Sequence, residues 1–585
     1  MSFWNAFYGP NAGYAVELYE RYLRDPDAVD GATRARFAQL APAEIAALMG
    51  SAAALAETTP APAEMPAARA PVGVGVGVGA GRPRASAAAA PSTAAPSPPV
   101  APSPASRAPS ASAPPTVPEQ RSLASAPEAN VVTIVHAARL ARSIREYGHL
   151  AARIDPLGTS GPGDPMLNPA THDLTDADLQ VLPAAIVWTG AGRSGGSCWD
   201  AIQALRAIYE GPVGYEFDHV QDYAERAWLH ENVEAGTFGQ LVPADERRAV
   251  MRRLIEVSEF EHFLHTTFQG QKRFSIEGID VLVPMLDELI HESAVAGTRE
   301  VLLGMAHRGR LSVLAHVLRK PFVKVFAEFH RAPNKELVPS EGSAGINFGW
   351  TGDVKYHLGA SKLVRESELV QVQLTLAHNP SHLEFVNPVV EGYTRAAQER
   401  RGAPGAPLQN PDIALAVTIH GDAAFPGEGV VAETLNLSRL PGYQTGGTIH
   451  IIANNQIGFT TVAAEGRSTL YASDLAKGFE VPIVHVNADD VDACLGVTRL
   501  AHAYRQAFHK DFLIDLVGYR RWGHNEGDEP AFTQPAMYAT IAAHPTVRAL
   551  YAERLIADGA LTAERAQELD DEAMQRLQQA RAELA

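Results

Sequence analysis

The sequence predicts an α/β fold with a doubly wound, mostly parallel sheet, preceded by a helical region and a disordered linker. Two observations lead to this prediction. After about residue 270, continuous apolar runs of strand length alternate with helical patterns, which is typical of a parallel sheet covered on both faces. Between about residues 51 and 130, the chain consists mostly of alanine, proline, serine and glycine, a composition that does not form a packed core.

The N-terminal arm, residues 1–50, contains one amphipathic pattern. YAVELYERYLR at 14–24 places Leu18 and Tyr22 at helical spacing, so we expect a short helix there. Residues 51–130 form an Ala/Pro/Gly-rich linker that includes PVGVGVGVGAGRPR. We expect this linker to be disordered and extended, because it cannot bury enough surface to offset its ordering entropy.

The globular pattern begins at Val131. Residues 131–270 are predicted to be mainly helical, residues 271–545 to form the α/β domain, and residues 546–585 to form a helical tail. VLVPMLDELI at 281–290 is one of the helices predicted within the domain, and LSVLAHVL at 311–318 is another. The predicted strands lie at 300–306, 369–377, 413–419, 448–453, 481–486 and 512–519.

Composition argues against several classes of function. A formal net charge of −18 does not suit a general nucleic-acid-binding protein, which would carry a basic stripe. Cys198 and Cys494 are the only cysteines, so neither a disulfide framework nor a thiolate metal site is expected. No apolar segment has the length of a membrane span and no signal peptide is recognisable, so we expect a cytoplasmic protein without a membrane partner.

Polar segments follow five of the predicted strands, at the edge where doubly wound sheets bind ligands. Any one of them could be an ordinary polar loop, but five at one sheet edge indicate a binding site. The segments are HRGR (307–310), HNPSHLE (378–384), HGDAA (420–424), NNQIGF (454–459) and RRWGHNE (520–526).

Asp422 and Asn455 are the most specific pair, since each follows one of two successive predicted strands. A carboxylate and an amide oxygen suit Mg²⁺, which completes its octahedron with phosphate oxygens and water. Gly427 and Gly429 would let backbone N–H groups at the next helix start approach a diphosphate. Gly-Asp, a spacer of about thirty residues and Asn-Asn together indicate a thiamine diphosphate site.

Several long segments resemble the thiamine-diphosphate-dependent, decarboxylating first component of the 2-oxoglutarate dehydrogenase complex. They are GMAHRGRLSVL, GDVKYHLGAS, NPSHLEFVNPVVEG, HGDAAFPGEGVVAETLNLS, IIANNQIGFTT, YRRWGHNEGDEPAFTQPAMY, REYGHLAARIDPLG, GQKRFSIEG and the N-terminal ELYERYLRDPDAV. The resemblance covers nearly all of 131–555 and the arm. It implies a thiamine-diphosphate-binding fold that decarboxylates 2-oxoglutarate oxidatively, in the tricarboxylic acid cycle, and transfers the succinyl group to a lipoyl arm.

The resemblance also implies a role for individual residues. Asp422, Asn455 and the carbonyl group of Ile457 would bind Mg²⁺. The residues that would bind thiamine diphosphate are Ser381, Leu383, Asp422, Ala423, Asn455 and Arg308. The catalytic residues would be His307 and His357, facing the 2-oxo acid, and His524, near the reacting carbon. Imidazoles suit such roles because they bind anions and exchange protons near neutral pH.

The implied partners are 2-oxoglutarate and a lipoylated dihydrolipoyl succinyltransferase, onto which residues 14–30 would dock. Two alternatives stay open. Relatives that act on 2-oxoadipate share most of these motifs, and a non-catalytic scaffold could retain the cofactor fold.

In this family a second α/β half binds the aminopyrimidine and supplies the glutamate that activates the cofactor. No segment of the 585 residues resembles that half. We therefore expect a chain that is inactive alone, as a fragment of a longer protein or as one subunit of a split enzyme. It would form a homo-oligomer or pair with a pyrimidine-domain chain.

Two further motifs have competing interpretations. TGAGRSGGS at 189–197 matches the G-x-G-x-x-G fingerprint of nicotinamide-binding dehydrogenases, but a suitable acidic residue at the end of a following strand is missing, which favours a plain glycine-rich loop. EFEHFLH places Glu259, His262 and His265 on one side of a helix, where they could bind zinc. The same segment fits an amphipathic helix with its phenylalanines inward, which we favour.

Overall fold

The computed structural model describes most of the chain from residue 131 onward. The described residues are 131–159, 161–188, 195–329, 354–365, 371–402 and 404–584, together with Tyr22, Leu23, Asp25, Pro26, Arg34 and Ala38. Most of the predicted N-terminal helix, the whole linker and the first two glycines of the G-x-G-x-x-G motif lie outside these residues. The described residues from 131 onward belong to one compact unit.

Helices make up much of this unit. In chain order they are α1 (Val131–Tyr147), α2 (Asp176–Val181), α3 (Cys198–Tyr209), α4 (Tyr223–Ala235), α5 (Ala244–Thr267), α6 (Leu282–Ala296), α7 (Arg310–Ser312), α8 (Phe322–Phe329), α9 (Val386–Gln398), α10 (Ala424–Gly427), α11 (Gly429–Leu437), α12 (Ala463–Gly466), α13 (Val491–Phe508), α14 (Pro535–Ala543), α15 (Val547–Ala557) and α16 (Ala563–Leu584). α7 continues into a π-helical turn at Val313–Val317. Short 3₁₀ helices lie at Gly148–Leu150, Pro165–Leu167, Pro169–His172, Ala184–Ile186, Val354–Tyr356, Ala472–Phe479 and Pro530–Phe532.

The strands form one large sheet and two small ribbons. In chain order they are β1 (Val213–Glu216), β2 (Glu300–Met305), β3 (Ala360–Arg365), β4 (Gln371–Leu376), β5 (Glu399–Arg400), β6 (Leu408–Gln409), β7 (Ala414–Gly421), β8 (Thr448–Asn454), β9 (Ile457–Gly458), β10 (Thr461–Val462), β11 (Ile483–Asn487) and β12 (Phe512–Val517). The large sheet has eight strands in the order β1-β11-β12-β8-β7-β2-β4-β3. β5 pairs with β6, and β9 pairs with β10.

The prediction of a mostly parallel sheet is confirmed. The six central strands run parallel, and they are the six strands predicted from the apolar runs. Sequence patterns did not predict β1 and β3, which pair antiparallel at the two edges. Because β1 comes from the region predicted to be mainly helical, that region contributes a strand to the sheet.

Alternate residues of the strands pack against opposite layers of helices. In β7, Leu415 and Val417 join the main core, which also includes residues of α6 and α13. Ala414 and Ala416 face the other side, where they pack with Val390 of α9. This two-sided covering explains why the central strands are apolar throughout, and it confirms the doubly wound arrangement.

The helices before and after the sheet share its main core. Leu140 of α1, Phe260 of α5 and Leu577 of α16 all belong to it. Cys198 of α3 and Cys494 of α13 are buried in the same core as free thiols, and burial raises the pKa of both. The core therefore joins the helical region, the sheet and the C-terminal helices into one packed body.

The zinc interpretation of EFEHFLH is wrong for the described residues. The segment lies within α5, with Phe260, Phe263 and Leu264 buried. Glu259 forms a salt bridge with Arg548 over 2.5 Å. No group of three or more His, Cys, Asp or Glu in the described part of the chain is arranged to hold a metal ion.

None of the described helices combines the length and the apolar character that a membrane crossing requires.

The chain order of the strands creates a crevice between β2 and β7. β2 is followed along the chain by β3 and β4, which lie on one side of it, whereas β7 is followed by β8 on the other side. Doubly wound sheets bind ligands at such a reversal, outside the carboxyl ends of the strands. Two of the predicted site residues, Arg308 after β2 and Asp422 after β7, flank this crevice.

Candidate functional site

The loops predicted to carry the site meet at one edge of the sheet. Arg308, after β2, donates to the carbonyl oxygen of His524, after β12, over 3.0 Å. The side-chain amide of Asn455, after β8, lies 3.2 Å from Nε of Arg308. Glu384, after β4, is hydrogen-bonded to His420 at the end of β7 over 2.6 Å. These contacts join the carboxyl ends of five strands around one crevice.

Asp422 lies in the turn between β7 and α10 and is almost completely buried. The backbone N–H groups of Asp422 itself and of Asn455 face its carboxylate and lower its pKa. Burial raises the pKa of Asp422 to about 6, a shift that the charge of Arg467 reduces and the charge of Asp515 increases. Within the described ranges, no side chain forms a salt bridge with Asp422. A buried carboxylate that no described side chain pairs at salt-bridge distance fits a bound cation.

Asn455 and Ile457 place two oxygens beside each other. The side-chain oxygen of Asn455 lies 2.9 Å from the carbonyl oxygen of Ile457. Two acceptors do not hydrogen-bond, but neighbouring ligands of octahedral Mg²⁺ lie about 3 Å apart when each bond is about 2.1 Å. Turned by 180°, the amide donates to Ile457 and accepts from Nε of Arg308. The residues present therefore fit Mg²⁺, and the amide also has a hydrogen-bonded orientation that needs no metal.

Ala423 lies where the two turns with these oxygens touch. A Cβ atom at Gly458 would come within 2.6 Å of Cβ of Ala423. Glycine at position 458 therefore allows the turn after β7 to approach the ribbon of β9. This close approach keeps Asp422 and Ile457 at one site.

His307 and His357 form an edge-to-face pair with ring centroids 4.7 Å apart. Phe274 stacks on His307 at 5.1 Å. Nδ1 of His357 lies 2.8 Å from the carbonyl oxygen of Asn379, and because a carbonyl only accepts, Nδ1 carries the proton. Nε2 of the neutral ring is then an acceptor, 3.4 Å from Oγ of Ser381. An anion can therefore bind Nε2 only when His357 is an imidazolium.

His524 lies beside two arginines, the buried Arg520 and the partly buried Arg308. Its ring packs edge-on against Phe274 at 5.5 Å and Phe459 at 5.1 Å. Burial lowers the pKa of His524 to about 4, and the charges of Arg308 and Arg520 contribute to the shift. Burial and the charge of Arg520 also lower the pKa of Arg308, to about 10, so Arg308 stays charged at pH 7. The neutral imidazole of His524 can accept a proton, and the arginines favour an anion beside it.

The loop after β4 carries Ser381 and Leu383. Glu384, the next residue, is buried with a φ of 66° and holds the loop against His420 at the end of β7. Leu383 itself is 36% exposed, so part of its side chain faces the open crevice edge. The structure thus ties this loop to the end of β7, two residues before Asp422.

Sequence patterns did not predict several residues around the crevice. Phe274 contacts both His307 and His524, but the apolar residue in QKRF gives no signal of this position. Asp515 gives a clearer signal, because it is a charged residue inside the otherwise apolar FLIDLV of β12. It accepts a hydrogen bond from Nδ2 of Asn454 over 2.9 Å, and both side chains are buried beneath the site.

Comparisons with known proteins point in the same direction. The family model of the dehydrogenase E1 component matches residues 277–584, and that of the 2-oxoglutarate dehydrogenase N-terminus matches residues 5–44. The chain is 47% identical over 579 residues to the 2-oxoglutarate dehydrogenase E1 component of Bacillus subtilis (strain 168), an alignment that covers 99% of the chain and 54% of that protein. It is 48% identical over 575 residues to the 2-oxoglutarate dehydrogenase E1 component of Geobacillus sp. (strain WCH70), with 98% and 54% covered. The chain spans about half the length of the curated relatives it matches.

Proposed function

Because the chain belongs to the dehydrogenase E1 component family, we propose that it forms the diphosphate-binding part of a thiamine-diphosphate-dependent 2-oxoglutarate dehydrogenase in the tricarboxylic acid cycle. The observation that carries the proposal is the set of oxygens from Asp422, Asn455 and Ile457 at the sheet edge, next to His307, His357 and His524. The names of the relatives favour 2-oxoglutarate over 2-oxoadipate as the substrate.

In this proposal the chain's own residues hold the ionic end of the cofactor. Asp422, Asn455 and the carbonyl group of Ile457 would bind Mg²⁺, and Arg308 would neutralise part of the diphosphate charge. Ser381, Leu383 and Ala423 would line the diphosphate pocket. Thiamine diphosphate, when bound, supplies the nucleophile for a 2-oxo carbon and the electron sink for the loss of CO₂.

The histidines would bind the 2-oxo acid and move protons. His307 and His357 lie together at the crevice and would contact a carboxylate group of 2-oxoglutarate. Because Nδ1 of His357 is engaged by a carbonyl oxygen, binding a carboxylate at Nε2 requires this ring to take up a proton. His524, which is neutral at pH 7 because of its low pKa, would accept or return a proton beside the reacting carbon.

Other polypeptide would complete the active site and receive the product. A pyrimidine-binding half would supply the activating glutamate, either as part of a longer protein or as a separate chain. A dihydrolipoyl succinyltransferase with a lipoyl arm would accept the succinyl group. Residues 14–30, within the segment that matches the 2-oxoglutarate dehydrogenase N-terminus, would dock onto this partner. The oxygen ligands and histidines at the crevice speak against a non-catalytic scaffold.

The test is release of CO₂ from carboxyl-labelled 2-oxoglutarate, with pyruvate and 2-oxoadipate in parallel, in the presence of Mg²⁺ and thiamine diphosphate. We expect release from 2-oxoglutarate once a pyrimidine-binding chain is added, and loss of at least about 100-fold in Asp422→Ala. Asp412→Ala is the matched control, because this carboxylate is 52% exposed and lies just before β7.

Each other outcome identifies the part of the proposal that is wrong. Release by this chain alone would show that no second half is needed. Preference for 2-oxoadipate would show that 2-oxoadipate, and not 2-oxoglutarate, is the substrate. If none of the three acids releases CO₂ in the presence of the pyrimidine-binding chain, the chain is a non-catalytic scaffold and not part of an enzyme.

A further inference from the structure

Asn454, the residue before the proposed ligand Asn455, has both ends of its side chain engaged. Its Nδ2 donates to Oδ1 of Asp515 over 2.9 Å. Its Oδ1 accepts from the backbone N–H group of Gln456 over 3.1 Å. The second bond closes an Asx turn around position 455. Since Asp515 can only accept when ionised, it determines which end of the Asn454 amide faces the turn.

Gln456 is fixed on the other side of the ligand. Its φ is 65°, an uncommon value for a residue that is not glycine. Its Nε2 donates to Oδ1 of Asp155 over 2.7 Å and to the carbonyl oxygen of Gly518 over 2.9 Å. The backbone is thus held both before and after Asn455, so the direction of the Asn455 side chain and of the Ile457 carbonyl follows from these anchors.

Asp515 is itself held by a buried row of charged side chains. Its Oδ2 lies 2.8 Å from Nδ1 of His485 on β11, and Nε2 of His485 lies 2.8 Å from Oε1 of Glu216 on β1. Both ring nitrogens face carboxylates, so both carry protons and the ring is cationic. Burial alone would lower the pKa of His485. The carboxylates of Asp515 and Glu216 outweigh burial through their hydrogen bonds to the ring and through their charges, and they raise the pKa to about 9.

We propose that Asn454 and Asp515 are positioning residues for the cation site, with the row from Glu216 through His485 to Asp515 fixing the turn that presents Asn455 and Ile457. This inference rests on the proposed function, because it needs a cation at Asp422, Asn455 and Ile457. The anchoring holds the backbone of the turn before a cation arrives, so presenting the oxygens of Asn455 and Ile457 to a cation requires a turn of the Asn455 amide and little rearrangement of the backbone. Partners behind metal ligands commonly change metal affinity by about 10- to 100-fold when removed.

The test is the affinity of the chain for Mn²⁺, an oxygen-binding substitute for Mg²⁺, measured by electron paramagnetic resonance in the presence of thiamine diphosphate. We expect Asn454→Ala and Asp515→Leu each to weaken Mn²⁺ binding by about 10- to 100-fold. Because both changes act through one turn, the double variant should bind within about 2-fold of the weaker single variant. Asn454→Ser, which keeps an acceptor for the N–H group of Gln456, should recover part of the affinity.

Asp511→Asn is the matched control, since Asp511 is a buried, hydrogen-bonded carboxylate at the other end of β12. It should lower the melting temperature without changing the Mn²⁺ affinity. Two results would overturn this inference but not the proposed function. One is a Mn²⁺ affinity of Asn454→Ala equal to that of the unsubstituted chain. The other is a loss of affinity in the double variant equal to the product of the two single losses. If Asp515→Leu does not fold, Asn454→Ala and Asn454→Ser decide the question. No Mn²⁺ binding by the unsubstituted chain would overturn both this inference and the proposed cation site.

Discussion

His485 is a fully buried cation in the centre of β11, between Val484 and Val486. Two carboxylates from neighbouring strands, Glu216 and Asp515, hold it there, each over 2.8 Å. Removing one member would leave an uncompensated charge in the core, which is far more costly than losing the pair. The fold therefore depends on the presence of all three charged side chains in this row.

The raised pKa of His485 predicts how stability depends on pH. A group whose folded-state pKa lies above its ordinary value of 6.5 stabilises the fold fully below pH 6.5 and loses this contribution as the pH rises through about 9. The contribution is on the order of 3 kcal/mol. We expect the difference in melting temperature between the unsubstituted chain and His485→Gln to be largest below pH 6.5 and smallest above pH 9. A difference that stays constant across this range would contradict the assignment of a cationic His485.

The sequence predicts the proposed cation ligands more readily than the residues that position them. Asp422 and Asn455 are signalled locally, because residue type and position after an apolar run are visible in the chain. Asn454 and Asp515 lie 61 positions apart and meet only through the pairing of β8 with β12. Their contact depends on strand order, which a single sequence does not display.

The strands also differ in how readily the sequence predicts them. The central strands are predicted because burial on both faces makes them continuously apolar. β1, with the sequence VGYE, and β3, with ASKLVR, are edge strands with mixed composition, so neither the apolar run nor the alternation of a strand is visible in them. The antiparallel direction of both edges likewise follows from the path of the chain and not from any local pattern.

A close approach at the end of β12 leads to a prediction about Gly278. Its φ is 101°, and a Cβ atom there would lie 2.0 Å from the carbonyl oxygen of Tyr519, next to Arg520. We expect Gly278→Ala to destabilise the fold by at least about 1–3 kcal/mol, the range for a strained backbone alone. Gly392→Ala, in α9 with open space around it, should stabilise by about 0.5–1 kcal/mol. Thermal melting measures both changes, and an unchanged melting temperature for Gly278→Ala would contradict the close approach.

At the scale of the whole molecule, the helices before and after the sheet share one core with it, so we expect them to unfold together with the sheet. Sequence patterns suggested separate segments, because composition changes and loops are visible whereas packing between distant helices is not. Leu577 of α16 lies in the same core as Leu140 of α1 and Val417 of β7. The core therefore predicts one cooperative unit from 131 onward.

We expect Leu577→Ala to destabilise this unit by about 2–5 kcal/mol, through lost burial and the cavity it leaves. Thiol labelling measures the effect, because Cys198 and Cys494 are buried on different elements of the core. Both should label faster, and by the same factor, in Leu577→Ala, while Gln578→Ala, an exposed neighbour, should change neither. Faster labelling of only one cysteine would show that the core separates into independently unfolding parts.

The outer side of β3 has a consequence for association between molecules. β3 pairs with β4 on one side only within the described residues, so its other side offers backbone donors and acceptors to any extended strand. Lys362 lies exposed in the middle of this strand, and a charge at a sheet edge disfavours the addition of a strand from a neighbouring molecule. We therefore expect this single lysine in ASKLVR to disfavour edge-to-edge association along the side of β3 that has no partner among the described strands.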